Sequence, residues 1–397
     1  MACLPCERYQ MNRMKLTVLL AAAACTTVGM AAPATAAEPT ALVPVLQASS
    51  EGVPGQYIVT LKDQAGIQSA STLAADLDVT PRHVYSATIN GFSASLSADQ
   101  LKALQANPSV ERIEQNAEVH VDGTQTGATW GIDRINQPTL PLDGTYTWNT
   151  DGSGVTAYII DTGLDADHPD YTGRGQNVFD SFGGNGDDCH GHGTHVGGTV
   201  GGSTWGVAKN VALRGVRVLD CGGSGTWDGV IAGMDWVAAN GTRPAVANMS
   251  LGGGFNQSVN DAATRLSDSG VFTAIAAGNS SIDACQFSPA SAANVTTVAA
   301  SDQNDASAFF TNHGTCVEVY APGVNVTSAW LNGGTNTISG TSMASPHVAG
   351  IGALYKSSQG DVASSTLNAW MQAAASPNQI TGVPAGTPNL LVQNTGL

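Results

Sequence analysis

Basic residues are scarce in this chain of 397 residues, which has 15 Lys and Arg against 31 Asp and Glu and a formal net charge of −16. Nucleic-acid binding requires clustered Lys and Arg to neutralise phosphates, so the composition argues against a nucleic-acid partner. Charged residues amount to only 12% while apolar residues reach 42%, which argues against disorder. The chain is therefore expected to fold, and its length favours at least two folded units.

Long apolar runs are also missing. The run at residues 16–24 is shorter than the roughly 20 residues needed to span a membrane, and no later segment comes close. Basic residues precede this run and an Ala-Thr-Ala motif ends at Ala36, an order typical of a secretory signal peptide over residues 1–36. The alternatives are a membrane anchor and lipid attachment at Cys25, which lacks the usual larger aliphatic residue three positions earlier. We therefore predict a secreted, extracellular protein without a membrane partner.

Cysteines are few, and four of the seven lie beyond the signal: Cys189, Cys221, Cys285 and Cys316. Four cysteines allow three pairings, and an oxidising compartment favours disulfides over free buried thiols. Sequential pairing would close two loops of similar length, each constraining the unfolded chain by roughly 3–4 kcal/mol.

Residues 56–121 follow the order strand, helix, strand, strand, helix, strand, which predicts a small ferredoxin-like α+β unit. Ser97 is expected to cap the second helix, with Gln100 completing a capping box. His83 and His120 lack a matching catalytic partner nearby, and a plain folded spacer is the alternative to a functional unit.

Residues 122–128 are small and polar, so they are interpreted as a flexible linker and a cleavage region. Beyond Trp130, short apolar strands alternate with helices, which indicates an α/β domain with a mainly parallel sheet covered on both faces. The reactive groups of such a sheet gather at the carboxyl ends of its strands. The predicted strands are 155–160, 213–219, 245–249, 271–276, 295–300 and 317–320, and the predicted helices are 227–239, 259–269 and 342–356.

Asp161 is the first candidate for chemistry, because Asp161-Thr162-Gly163 directly follows a predicted strand. An Asp-Thr-Gly also begins the site of two-carboxylate proteases, with Asp268 as the imaginable partner. That pairing is rejected because Asp268 ends an amphipathic helix, whereas the two carboxylates of such a site must share a proton.

Three histidines occur within the six residues from His190 to His195, before a stretch of small residues. A metal site is one interpretation, but zinc helices present histidines four residues apart with a carboxylate between them. The alternative makes one histidine a general base at a helix start. His190 is then a loop residue and His195 a packed or hydrogen-bonded neighbour.

Ser342 opens a predicted helix of small residues, where backbone N–H groups attract developing negative charge. A helix-capping role would explain Ser342 by itself. It would not explain Asp161 at the end of a predicted strand or the histidine cluster from His190 to His195. A lipase-type elbow is nearly matched, yet those enzymes place Asp and His after the serine.

The order Asp161, His192, Ser342 resembles that of the subtilisin-like serine proteases, particularly the proteinase K-like branch. The resemblance implies a three-layer subtilisin-like fold, with a signal at 1–36, an inhibitory propeptide at 37–124 and a peptidase domain at 125–397. It further implies a self-processing zymogen and a serine endopeptidase that works through an acyl-enzyme intermediate without a catalytic cofactor. His192 would be the base and Asp161 its orienting partner, while Asn279 and the Ser342 N–H would stabilise the oxyanion.

The same resemblance implies a substrate-binding cleft that pairs with an extended peptide. The cleft would be formed by three segments: Gly223, Ser224 and Gly225; Ser250, Leu251, Gly252 and Gly253; and Ala276, Ala277 and Gly278. Because these segments contain no acidic residue, broad cleavage after apolar or aromatic residues is expected.

A structural calcium site is implied at Ala293, Val295 and Glu318. The related protease carries the shorter Asp in place of Glu318, so the extra methylene could displace the carboxylate, and a surface glutamate is the alternative.

The expected partners are polypeptide substrates and the chain's own propeptide, and a monomer is expected. The rival functions are a non-catalytic peptide-holding scaffold and a secreted lipase or esterase.

Overall fold

A computed structural model of the chain describes residues 42–48, 52–62, 69–117 and 123–397. The predicted signal at 1–36 and the residue His120 lie outside the described residues. Within the described ranges, no helix combines the length and apolar character needed to cross a membrane.

The small unit has the predicted ferredoxin-like order, preceded by one short extra strand. Its four longer strands lie in the order β5-β2-β4-β3 and are antiparallel, while β1 pairs in parallel with β5. The elements are β1 (Val45–Leu46), β2 (Gly52–Leu61), α1 (Ala70–Asp76), β3 (Pro81–Tyr85), β4 (Gly91–Ser95), α2 (Ala98–Gln105) and β5 (Val110–Ala117).

Local capping and a small apolar core together stabilise this unit. The Ser97 side chain accepts a hydrogen bond from the Gln100 amide, and Gln100 Oε1 accepts one from the Ser97 amide. The predicted capping box is thus confirmed. Phe92, Leu104 and Ile113 are fully buried between the helices and the sheet.

The larger unit contains fifteen strands and six α-helices over residues 123–397. Its strands are β6 (Gly123–Thr126), β7 (Thr145–Trp148), β8 (Thr156–Asp161), β9 (Gly175–Asp180), β10 (Ala212–Arg217), β11 (Ala245–Met249), β12 (Gly253–Gly254), β13 (Phe272–Ala276), β14 (Phe287–Ser288), β15 (Thr296–Ser301), β16 (Val319–Pro322), β17 (Val326–Trp330), β18 (Gly334–Ile338), β19 (Ser376–Pro377) and β20 (Leu390–Leu391). Its helices are α3 (Trp130–Arg134), α4 (His192–Gly201), α5 (Trp227–Asn240), α6 (Gln257–Asp268), α7 (Thr341–Gln359) and α8 (Ser364–Ala374).

A nine-stranded sheet forms the middle layer, in the order β19-β20-β16-β15-β13-β11-β8-β10-β9. All neighbouring strands are parallel except β19 and β20. One buried cluster joins the sheet to α4 and α7, and a second joins it to α5 and α6. Every residue of β8, β11 and β13 is buried, as expected for strands covered on both faces. The predicted α/β three-layer architecture is confirmed.

The segment after the small unit differs from its prediction. Residues 122–128 were expected to be a flexible linker, but β6 pairs with β7, and Gln125 Oε1 accepts a hydrogen bond from the buried Lys209 ammonium at 2.5 Å. A Cβ atom at Gly123 would lie 2.0 Å from the Trp148 indole, so the glycine serves close packing there rather than flexibility. The linker prediction is therefore wrong for β6, and the predicted boundary between residues 124 and 125 falls within a strand.

Candidate active site

Asp161 is the last residue of β8 and has no exposed surface. Its Oδ1 atom accepts a hydrogen bond from the Thr162 amide at 2.8 Å and lies 2.7 Å from Nδ1 of His192. Among the described residues, Asp161 Oδ2 has no hydrogen-bond partner. The carboxylate is therefore oriented by its own strand end and directed at one imidazole.

His192 opens α4 and is partly exposed, with 20% of its side chain accessible. The preceding Gly191 has φ 103°, and a Cβ atom there would lie 2.4 Å from the Trp330 ring. Both the left-handed backbone and the close ring favour glycine at this position. The helix start is held by Asp188, whose carboxylate accepts hydrogen bonds from the amides of Gly191 and Thr194, each at 2.9 Å.

Two opposing effects act on the His192 imidazole. Burial favours its neutral form, but the charge and the hydrogen bond of Asp161, with a smaller contribution from Asp188, outweigh burial and raise the pKa of His192. The site therefore stabilises a positive charge on the imidazole, as a base that must hold a proton transiently requires.

Ser342 is the second residue of α7, so its N–H lies among the first four amides of the helix, which have no partner within it. Its hydroxyl donates to the Ser250 carbonyl oxygen at 3.2 Å, and the Ser250 hydroxyl donates in turn to the Ser342 carbonyl oxygen at 2.7 Å. Ser342 and His192 line the same cleft, but within the described part of the chain no hydrogen bond joins them. Catalytic hydrogen bonds are often loose before substrate binds.

Asn279 follows β13 and is exposed. Its Oδ1 atom accepts hydrogen bonds from the amide and the hydroxyl of Thr341, at 2.8 and 2.9 Å. With the carbonyl side of the amide thus occupied, Nδ2 is left as a fixed donor beside the start of α7.

His192, Ser342 and Asn279 line one cleft of about 900 Å³. Nine of the ten residues predicted to bind substrate line it. Ala277 does not: it is fully buried, and its carbonyl oxygen accepts a hydrogen bond from Asn312 Nδ2 at 2.9 Å. The cleft also contains residues that were not predicted to bind substrate: Thr162, His190, His192, Leu219, Gly222, Thr226, Trp227, Val230, Gly254, Asn279, Phe287, Thr341 and Ser342.

His195 and Asp268 have other surroundings. His195 is buried in α4, its Nε2 atom lies 3.1 Å from the Val326 carbonyl oxygen, and burial lowers its pKa to about 4. Asp268 lies at the end of α6, where its Oδ1 atom accepts a hydrogen bond from Asn294 Nδ2. The described ranges contain no group of three or more metal-ligating His, Cys, Asp or Glu side chains.

The cysteines adopt one of the three possible pairings, Cys189 with Cys221 and Cys285 with Cys316. The first disulfide ties the loop before α4 to the loop after β10, and both loops border the cleft. The second joins the segment between β13 and β14, which also carries Asn279, to the segment between β15 and β16.

The implied calcium ligands lie around β15. Glu318 Oε2 accepts a hydrogen bond from the Thr297 amide at 2.6 Å, and burial raises the pKa of Glu318 to about 7. One carboxylate oxygen is thus engaged by the backbone, so a cation at Glu318 would have to be held through Oε1. Oxygen donors of this kind suit calcium.

Two positioning residues were missed at the level of sequence. Asp188 accepts hydrogen bonds at the start of α4, and Thr341 fixes the Asn279 amide. Asp188 lies three residues before the N-cap Gly191, so the usual capping signal, which is a polar residue at the N-cap itself, does not identify it. The Thr341 contact has no sequence signal, because it joins residues that are 62 positions apart.

Comparison with known families gives two matches. Residues 152–390 match the Subtilase family model, and residues 56–122 match the model for peptidase inhibitor I9. The two matches cover the larger and the smaller unit respectively.

Individual relatives agree with these matches. Alkaline serine protease ver112 of Corniculantispora psalliotae is 43% identical over 96% of this chain and 99% of its own length. Alkaline serine exoprotease A of Vibrio alginolyticus is 48% identical over 83% of this chain, which spans only 63% of that relative's length. The crystal structure of a cold adapted subtilisin-like serine proteinase covers 68% of this chain and 99% of its own, with 49% identity and a TM-score of 0.67.

Proposed function

This chain belongs to the subtilase family of serine proteases, and we propose that it is a secreted endopeptidase that cleaves proteins through Asp161, His192 and Ser342. The observation that carries the proposal is the 2.7 Å contact between Asp161 and His192, set in the cleft that also holds Ser342 at a helix start. A capping serine alone would need neither the oriented imidazole nor the cleft.

In the proposed acylation step, the hydrogen bond from Ser342 Oγ to the Ser250 carbonyl oxygen breaks, and Oγ attacks the carbonyl carbon of the peptide bond. His192 takes the hydroxyl proton as the new C–O bond forms, and returns it to the amine as the C–N bond breaks. Water then attacks the acyl-enzyme, with His192 again as the base, and restores the Ser342 hydroxyl. Asp161 keeps the ring oriented and stabilises its positive charge throughout.

Negative charge develops on the carbonyl oxygen during each attack. We assign its stabilisation to Asn279 Nδ2 and the Ser342 N–H, two donors that are in place before the reaction. Preorganised donors of this kind need no rearrangement as the charge appears.

Substrate specificity is proposed to be broad and to favour apolar or aromatic residues before the cut bond. Support comes from the cleft lining, which includes Trp227, Leu251 and Phe287 and carries no acidic side chain. A peptide-library profile dominated by Lys or Arg at that position would contradict this proposal.

The small unit is proposed to act as an intramolecular inhibitor that is removed by self-cleavage. Its match to the I9 inhibitor model supports this role. Purified Ser342→Ala should then accumulate as the full-length form, and its ready maturation in isolation would exclude self-cleavage. The mature enzyme is proposed to act as a monomer, which sedimentation of the processed form would check.

One paired assay separates the proposed function from its rivals. Labelling by a fluorophosphonate should occur in the wild-type protein and be lost in Ser342→Ala, which excludes a non-catalytic scaffold. Digestion of casein then distinguishes a protease from an esterase. Labelling without casein digestion would favour the esterase.

Structural calcium is proposed at Ala293, Val295 and Glu318, with no step of the reaction depending on it. EDTA should lower the melting temperature of the wild-type protein and have no such effect on Glu318→Gln. An unchanged wild-type melting temperature would remove support for this site.

A further inference from the structure

Asn248 is a buried polar residue of β11, a strand that lies between β8 and β13 in the large sheet. Its partners in those two strands are Ile159 and Ala274. Since alternate residues of a strand face opposite sides of the sheet, Asn248 points to the same face as Val246, which belongs to the cluster that packs against α7. The amide therefore lies beneath the helix that carries Ser342.

A proline removes one backbone hydrogen bond from α7. In an α-helix, the carbonyl oxygen of each residue accepts from the amide four residues later. For Ser342 that residue is Pro346, which lies inside the helix and has no N–H. The N-cap of α7 is Gly340, which has no side chain to hold the first turn. The carbonyl oxygen of the proposed nucleophile thus needs a donor from outside its own helix.

The Ser250 hydroxyl supplies this donor. It donates to the Ser342 carbonyl oxygen at 2.7 Å, while the Ser250 carbonyl oxygen accepts from the Ser342 hydroxyl. Ser250 Oγ also accepts a hydrogen bond from Asn248 Nδ2 at 2.8 Å and lies 3.0 Å from the Ser345 hydroxyl. With its single proton directed at Ser342, Ser250 Oγ uses its two acceptor sites for these two neighbours, so its orientation is fixed.

The other end of the Asn248 amide points to a functional role. Among the described residues, Oδ1 of Asn248 is buried and has no hydrogen-bond partner. A buried polar atom without a partner destabilises a fold, whereas an apolar side chain of the same shape avoids this penalty. Packing alone would therefore favour leucine at position 248. The amide is explained instead by what its nitrogen holds.

We propose that Asn248 is a positioning residue for the reaction of Ser342. By fixing the Ser250 hydroxyl, it holds the first turn of α7, and with it both Ser342 Oγ and the Ser342 N–H assigned to the oxyanion. A displaced oxyanion donor matters only as charge develops on the substrate, so its displacement lowers kcat rather than raising KM. This inference rests on the proposed peptidase function and extends it to a residue that does not line the cleft.

Asn248→Leu is the first test, because leucine has nearly the shape of asparagine without its hydrogen bonds. We expect kcat per active site, titrated with a fluorophosphonate, to fall by about two- to tenfold with KM unchanged, the size of one neutral hydrogen bond. The free energy of unfolding, measured in a Ser342→Ala background, should change little, because the unpartnered Oδ1 is removed as well. An unchanged kcat, or a rise in KM that accounts for the whole loss, would overturn the inference.

Asn260 in α6 provides a matched control. It is also buried, and its Nδ2 atom donates to the Ser291 hydroxyl at 2.9 Å. Its Oδ1 atom likewise has no partner within the described ranges, and neither Asn260 nor Ser291 lines the cleft. Asn260→Leu should leave kcat unchanged. An equal loss of kcat in both leucine variants would assign the effect to general loosening of the fold and overturn the inference.

A double-mutant cycle tests whether Asn248 acts through Ser250. Ser250→Ala removes the hydroxyl but keeps the carbonyl oxygen that accepts from Ser342. If the hydroxyl carries the effect, adding Asn248→Leu to Ser250→Ala should lower kcat no further, whereas losses that multiply would overturn the inference.

Ser345→Ala tests the same hydroxyl if Asn248→Leu does not fold. It should also lower kcat, and Ser345→Thr, which keeps the donor, should restore most of it. In that case, equal kcat values in the two Ser345 variants would overturn the inference. A wild-type protein that neither reacts with the fluorophosphonate nor digests casein would overturn the proposed function itself, whereas an active wild-type protein with an unaffected Asn248→Leu variant would overturn only the role of Asn248.

Discussion

Nδ1 of His192 lies 2.7 Å from Oδ1 of Asp161, a carboxylate with no exposed surface. The carboxylate is held by the Thr162 amide, and the helix that carries the imidazole is held at its start by Asp188. This half of the proposed triad is therefore assembled in the resting protein. The Ser342 hydroxyl, by contrast, is directed at the Ser250 carbonyl oxygen. Substrate binding must therefore trigger a change of hydrogen-bond partner, in which the Ser342 hydroxyl turns from the Ser250 carbonyl oxygen to the His192 imidazole.

The pH dependence of kcat/KM should report the protonation of His192. The base works only when neutral, so activity rises as the pH increases through its pKa. Asp161 raises the pKa of His192 above its ordinary value, which moves that rise to higher pH. Asp161→Asn should shift the rise to lower pH and reduce kcat by about 10⁴-fold, the loss that the same Asp→Asn change causes in the chymotrypsin-type triad. Steady-state kinetics across pH would measure both effects. With Asp268→Asn as the control, an unshifted profile in Asp161→Asn would contradict the assignment.

Asn279→Ala should lower kcat by about 100–1,000-fold with little change in KM, because the lost donor acts on charge that develops only in the transition state. Thr341→Val should cause a smaller loss, because it removes one of the two hydrogen bonds that hold Asn279 Oδ1. Thr341→Ser, which retains the hydroxyl, should restore most of the activity. Active-site titration with a fluorophosphonate would normalise the rates. A large rise in KM with kcat preserved would assign Asn279 to ground-state binding instead.

Arg134 and Asp305 form a buried ion pair that should dominate local stability. Arg134 is 0% exposed, and its Nε and Nη2 atoms donate to the two carboxylate oxygens at 2.7 and 3.0 Å. Removing either partner leaves an uncompensated buried charge, so Arg134→Met or Asp305→Leu should cost about 3–5 kcal/mol of unfolding free energy. The double variant should cost less than the sum of the two. Urea unfolding in a Ser342→Ala background, which prevents self-digestion, would test this, and additive losses would contradict the pairing.

The two disulfides should contribute similarly to stability. They close loops with sequence separations of 32 and 31, so replacing either pair by serines should cost about 3–4 kcal/mol. Chemical unfolding of both double variants in a Ser342→Ala background would check this. An unchanged free energy of unfolding in either double variant would contradict the expected contribution of that disulfide.

Much of the fold could be predicted because it depends on local patterns. The predicted strand at 245–249 matches β11, since a fully buried parallel strand is a short continuous apolar run bounded by turns. The capping box of Ser97 and Gln100 joins residues three apart, so its spacing alone identified it. The order of Asp161, His192 and Ser342 likewise indicated the family before any coordinate was known.

Other features could not be predicted, since they depend on contacts between distant segments. The strand at Gly123–Thr126 looks like a linker until Trp148 and Lys209 are placed beside it. Ala277 adjoins two cleft residues, but its side chain packs in a buried cluster with Ala284 and Ala299, because neighbouring residues at a strand end point in different directions. The orientation of Asn279 likewise depends on Thr341, on a different element.

The sequence by itself determined the order of elements, the cysteines available for pairing and the residue types able to carry out the chemistry, because these follow from composition, periodicity and motif. Only the tertiary structure decided which imidazole faces Asp161 and where the Ser342 hydroxyl points. Asp161 and His192 are 31 residues apart in the chain, and their 2.7 Å contact exists only because the sheet and the helices pack in one arrangement.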